Sequence, residues 1–253
     1  MAAVFLGRLT ARERSRRSNR QLGGVLAFVA GAVNAGGFLA VGRYTSHMTG
    51  VLSAMLDDLV LGYMTLVLGG LAMFVCFLLG AMKTALLANF ARRHGLHGEY
   101  ALPLALEAAL LVVFAAMGAN LRVLQETFVP SAALLLCFVM GLQNAVITKV
   151  SKAEIRTTHM TGIVTDLGIE LGRLLYRNRD RHRNDRHFVQ ADRDKLSIHA
   201  TVLALFLIGG ASGAFAFRKF GFGATLPIAA LLLVIAAAPL LHDLRALAGR
   251  IGR

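Results

Sequence analysis

Long apolar runs separated by polar breaks organise the chain, at 22–42, 60–86, 100–119, 131–150, 196–217 and 223–241. Each is long enough to cross roughly 30 Å of hydrocarbon as a helix rising about 1.5 Å per residue. The pattern predicts an all-α polytopic membrane protein with six transmembrane helices. Pro103 and Pro227 fall near the starts of two runs, where a missing N–H costs little. Between the fourth and fifth runs, positions 164, 167, 168, 171, 172 and 175 are apolar or glycine and share one helical face. That face predicts an interfacial or partly embedded helix with its acids turned to water or a polar cavity.

The same landmarks occur twice and in the same order. Gly31-Ala-Val-Asn34-Ala35 is matched by Gly141-Leu-Gln-Asn144-Ala145, and Thr45-Ser-His47-Met48-Thr49-Gly50 by Thr157-Thr-His159-Met160-Thr161-Gly162. Leu68-Gly69-Gly70 resembles Ile208-Gly209-Gly210, and Leu102-Pro103 resembles Leu226-Pro227. The separations of these pairs are 110, 112, 140 and 124 residues, and the jump to 140 coincides with a long basic loop. Three spans per unit is an odd number, so the second unit enters from the opposite side. The expected architecture is therefore two inverted three-helix repeats, at 21–125 and 126–253, behind a basic segment at 1–20. Many secondary transporters are built this way, with sites where the repeats meet.

Charge sets the orientation. The first 20 residues hold six arginines, and a second basic run fills 177–195. Arg92, Arg93, Arg245, Arg250 and Arg253 fall on the same predicted side, so the N- and C-termini are expected to be cytoplasmic. With 56% apolar residues and a mean hydropathy of +0.62, soluble domains are excluded. Net charge +13 would suit nucleic acid, but the basic stretches alternate with apolar spans and no nucleic-acid motif accompanies them. The lipid bilayer is the expected partner; the 177–195 loop is expected to act as a topology determinant, with contact to anionic headgroups the alternative. Cys76 and Cys137 lie inside apolar spans and read as small core residues.

Asn34 and Asn144 interrupt apolar spans, and a buried amide must hydrogen-bond to another helix, a ligand or water. Gly23, Ala27, Gly31 and Ala35 form a small-residue face expected to pack helix one against helix four; Gly209 and Gly213 offer a similar face in helix five. Thr49 or Thr161 could cap a following helix, Gly50 and Gly162 permit close backbone approach, and a helix N-terminus there would suit an anion. His47 and His159 titrate near neutral pH when unperturbed. Glu107 lies deep in span three, and Asp58, Asp166 and Glu170 follow the HMTG elements; these four acids are candidate coupling groups. A His/Met pair in each half admits a soft metal such as Cu(I), yet no third ligand is evident, so neither metal nor cofactor is expected. No nucleophile elbow, Walker loop, dinucleotide fingerprint or zincin motif appears, and no acid is placed to orient a histidine, so an enzyme is not expected.

The paired Asn-Ala and HMTG elements, with the basic N-terminus and six spans, resemble the YoaK-like family of bacterial membrane proteins, also called domain of unknown function 1275. The segment RTTHMTGIVTDLGIELGRLL, Arg156 to Leu175, is especially similar. The resemblance spans Gln21 to about Leu241 and implies a multi-pass protein of the bacterial inner membrane, with no activity attached. It also implies Asn after Thr-Gly, where this chain has Val51 and Ile163.

The expectation is a small secondary transporter or channel for a solute or ion, with a lean to anionic or carboxylate solutes. Its substrate-binding residues would be Asn34, His47, Thr49, Gly50, Asn144, His159, Thr161 and Gly162. The alternative is a membrane scaffold or sensor in which the same residues lock helices together; an intramembrane enzyme comes third. A homodimer would give six short spans more cover for a central pathway.

Overall fold

The computed structural model describes residues 16–119, 125–151, 157–176 and 188–251. Arg8, Arg12 and Arg14 of the basic N-terminus and residues 177–187 of the basic loop lie outside them. The described residues form eight α-helices and one 3-10 turn, with no strand. In chain order these are α1 (Arg16–Val41), α2 (Met48–Val60), α3 (Met64–Arg93), α4 (Ala101–Ala119), α5 (Gln125–Val150), α6 (Met160–Leu175), α7 (Arg193–Phe220), the 3-10 turn Gly221–Ala224, and α8 (Thr225–Ile251).

Among the described residues, five helical stretches are long and apolar enough to cross a membrane: Ser18–Val41, Met64–Arg93, Ala101–Gly118, Pro130–Val150 and Arg193–Arg245. The fifth holds both of the last two expected spans in 53 residues. Gly221, at φ +57°, breaks it, because that backbone region suits glycine and few other residues. The pieces on either side are helices of 28 and 27 residues. These lengths and compositions are consistent with a multi-pass membrane protein.

α3 shows most clearly which solvent the fold expects. Leu68, Leu71, Leu78, Leu86 and Phe90 along it are all exposed. So continuous an apolar flank suits hydrocarbon and not water. The enclosed helices are α1 and α5, whose Leu26, Val29, Ala30, Leu136, Met140 and Ile147 belong to one buried cluster with Leu104, Leu111 and Phe114 of α4.

Glycine governs the closest helix contacts. A Cβ on Gly31 would lie 2.9 Å from Gly210 N and closer still to Phe206 O, both on α7. Similar contacts join Gly24 to Leu205 and Gly36 to Phe217, so α1 and α7 run parallel. The small-residue face of α1 therefore packs on α7, the fifth expected span, and not on the fourth. Gly209 and Gly213 complete the same seam against the backbone of Phe28 and Ala32, as their spacing suggested.

α5 packs on α3 by an equivalent seam. A Cβ on Gly141 would meet Phe77 O and Ala81 N, and one on Gly80 would meet Phe138 O. Where α1 meets Phe206, Gly209 and Gly210, α5 thus meets Phe77, Gly80 and Ala81, each 129 residues earlier. This corrects the matching of Leu68-Gly69-Gly70 with Ile208-Gly209-Gly210, since a Cβ on Gly69 would meet nothing within 4 Å. Phe-Leu-Leu-Gly-Ala at 77–81 and Phe-Leu-Ile-Gly-Gly at 206–210 are the segments in equivalent positions. α1 crosses α5 antiparallel, with Gly37 against Leu136 and Gln143 Nε2 donating to Leu26 O at 3.2 Å. α4 and α8 are also antiparallel, linked by Gly98 against Pro239, Thr225 Oγ1 donating to Leu111 O, and Gly118 against Phe222.

Candidate functional site

Each HMTG element opens a short helix, α2 or α6. His47 and His159 hold the N-cap positions with non-helical backbone, and neither side chain makes a capping hydrogen bond. Thr49 and Thr161 lie two positions past the caps, in the exposed first turn. This corrects their expected role. The glycine of each motif has a local purpose: a Cβ on Gly50 would fall against the ring of His47, and one on Gly162 against the ring of His159. A histidine ring folded back over its own first turn needs glycine three residues on.

The asparagines hold the approach to these helices. Asn34 Oδ1 accepts from Ser46 Oγ at 2.8 Å, and Asn144 Oδ1 accepts from Thr158 Oγ1. Asn144 also donates through Nδ2 to Met140 O at 2.8 Å. Both are half-buried, and each ties a long helix to the residue preceding a cap histidine. Thr45 and Thr157, at equivalent positions, are fully buried, and neither hydroxyl has a partner among the described residues. They stood inside the duplicated motif, but among its serine, threonine and histidine neighbours nothing in the sequence marked them as the buried ones.

The two elements then differ. At the first, a cavity of about 280 Å³ opens between the end of α1, α2 and the start of α3. His47, Gly50 and Asp58 line it together with Arg43, Phe38, Tyr44, Met55, Gly70 and Met73. Phe38 and Tyr44 stack with ring centroids 4.5 Å apart, which gives one wall an aromatic face. Asn34 reaches this region through Ser46 and, like Thr49, is not among the lining residues.

At the second element the acids are engaged. Asp166 Oδ1 accepts from Lys195 Nζ at 3.1 Å, with His199 Nδ1 3.9 Å from Oδ2. Glu170 accepts from Arg173 at 2.9 Å and from the backbone N–H of Asp192 at 2.8 Å. Glu170 is fully enclosed, while Val164, Leu171 and Leu175 on the same helix are exposed. The apolar face of α6 thus turns outward, and Glu170 faces protein, not water or an open cavity. The sequence reading missed His199 and Lys195 here, and equally Arg43.

Glu107 is fully buried in α4, and neither carboxyl oxygen has a hydrogen-bond partner among the described residues. Gln143 is buried beside Asn144, with its Oε1 likewise unpartnered. The structure does not gather the two motifs into one site. Asn144 adjoins Gln143, which contacts Leu26, and Asn34 lies eight residues further along α1, on the order of 12 Å away.

The family described as "Protein of unknown function (DUF1275)" has a sequence profile that matches residues 22–238. No curated protein and no solved structure matches the chain.

Proposed function

The chain belongs to this family of unknown function, and from that premise we propose that it is a small secondary transporter of the bacterial inner membrane whose two HMTG elements are opposite ends of one solute path. The helix directions support an inverted repeat with six crossings. Such a repeat requires spans one and five to be parallel, spans one and four antiparallel, and spans three and six antiparallel. The glycine contacts have those directions.

One observation carries the transport reading: equivalent positions line a cavity in one half and form ion pairs in the other. With the spacings of 112 and 129 residues, Asp58 corresponds to Glu170, Ala54 to Asp166, Leu66 to Lys195 and Gly70 to His199. The first set lines the cavity. The second holds the Asp166–Lys195 and Glu170–Arg173 ion pairs. We read the ion pairs as the shut end of a path whose other end is the cavity, and exchange of the two arrangements would give alternating access. Arg43 offers a planar guanidinium for a carboxylate, Phe38 and Tyr44 offer an apolar face, and Asp58 stands across as a cation partner or coupling group. A small amphipathic carboxylate fits this set.

Purified protein in liposomes should accumulate a labelled small carboxylate by counterflow, and Arg43→Gln should lower that uptake at least roughly tenfold with an unchanged elution profile. Uptake indifferent to Arg43→Gln would remove the cavity from the path. Cysteine at 47 should label from the outer face with an impermeant thiol reagent, and cysteine at 159 only from the cytoplasmic face, in a background lacking Cys76 and Cys137. Labelling of both from one side would end the inverted-repeat reading. A membrane scaffold is the second reading, favoured by the closed contact of α1 with α5 around Leu26, Gly37 and Leu136.

A further inference from the structure

Far from both HMTG elements in sequence, the loop between α3 and α4 meets the last turns of α8. Asp243 of α8 is buried and its carboxylate is fixed from below: Oδ1 accepts the backbone N–H of His97 at 2.8 Å, and Oδ2 accepts that of Gly98 at 3.1 Å. Two imidazoles flank the same oxygen. His97 Nδ1 lies 3.3 Å from Oδ1 and His242 Nδ1 lies 3.8 Å from it, with the ring centroids 4.3 Å apart. All three potential ligand atoms fall within 4.8 Å of one another.

Those separations decide between two uses. They are long for N–H···O hydrogen bonds, which cluster at about 2.7–3.2 Å. A tetrahedral ion with bonds of about 2.1 Å separates its ligand atoms by about 3.4 Å, near the 3.3 and 3.8 Å from the two imidazoles to Oδ1. The carboxylate keeps lone pairs beyond the two N–H groups it accepts, and those N–H groups orient it as outer-shell donors orient metal ligands. We propose that His97, His242 and Asp243 form a binding site for a borderline divalent cation of the zinc class. Two imidazoles and one carboxylate suit that class, whereas Mg²⁺ and Ca²⁺ favour more numerous oxygen ligands. Both histidines are exposed, so a fourth coordination position is open to water. The bound ion would clip the α3–α4 loop to α8 and so join the first half of the chain to its last helix.

The test uses full-length, tag-free protein in detergent, stripped with chelator and dialysed against micromolar Zn²⁺. About one zinc ion per chain should remain, and the unfolding temperature should rise by a few degrees with Zn²⁺ but not with Mg²⁺. The double variant His97→Ala/His242→Ala should retain roughly tenfold less zinc and lose the thermal shift. These side chains are exposed, so the variant should elute as the parent does, and Asp243 is left intact because it holds the loop. Equal zinc retention by parent and double variant, or no retention by either, would overturn the site.

Discussion

Alanine at Gly209 should lower stability by about 2–3 kcal/mol, while alanine at Gly69 should leave it level or raise it by up to about 1 kcal/mol. Both changes add one methyl group to a helix interior, and both gain helix propensity. They differ in what the methyl meets. At Gly209 it would fall against Phe28 O and 2.9 Å from Phe28 Cα, backbone atoms of a neighbouring helix that cannot rotate aside. At Gly69 it meets open space. The seam must open, and with it the contacts of α1 along α7. Thermal unfolding of the detergent-solubilised variants measures this directly. Equal melting temperatures for the two variants would mean that α1 and α7 do not approach through glycine.

Glu107 gives the second large effect, in which stability and function move in opposite directions. A fully buried carboxyl with no hydrogen-bond partner among the described residues destabilises the fold by an amount on the order of 1–3 kcal/mol. Glu107→Leu should therefore raise the unfolding temperature. If Glu107 couples solute movement to an ion, the same variant should lose ion-driven accumulation by roughly a hundredfold, since an acid buried at a cost to stability is a candidate functional group. A stabilised variant with normal accumulation would assign Glu107 no coupling role. A destabilised variant would show that the carboxyl has a structural partner after all.

What could be seen in the sequence follows from the range of the physics involved. The spans announced themselves because burying a helix in lipid demands some twenty consecutive apolar residues. The HMTG motif announced itself because the histidine ring and the glycine beneath it are three residues apart, within one helical turn. The seam glycines were harder. Gly69-Gly70 and Gly209-Gly210 look alike as strings, but the seam depends on which glycine faces a neighbouring backbone, and that follows the Phe77 and Phe206 segments instead. On α6 the period identified an apolar face correctly, yet a period cannot say whether the face meets lipid or protein. The ion pair of Asp166 with Lys195 joins residues 29 apart, and the bond from His97 to Asp243 joins residues 146 apart. No local spacing encodes either.

The length of α3 has one more consequence. Its 30 residues make a rod about 45 Å long, against a hydrocarbon core of about 30 Å. Such an excess is absorbed by leaning the rod or by thickening the lipid around it. Gly70 and Met73 on this rod line the cavity beside His47. Any lean of α3 in a bilayer would therefore move one wall of that cavity, so the acyl-chain length of the surrounding lipid is expected to bear on its width.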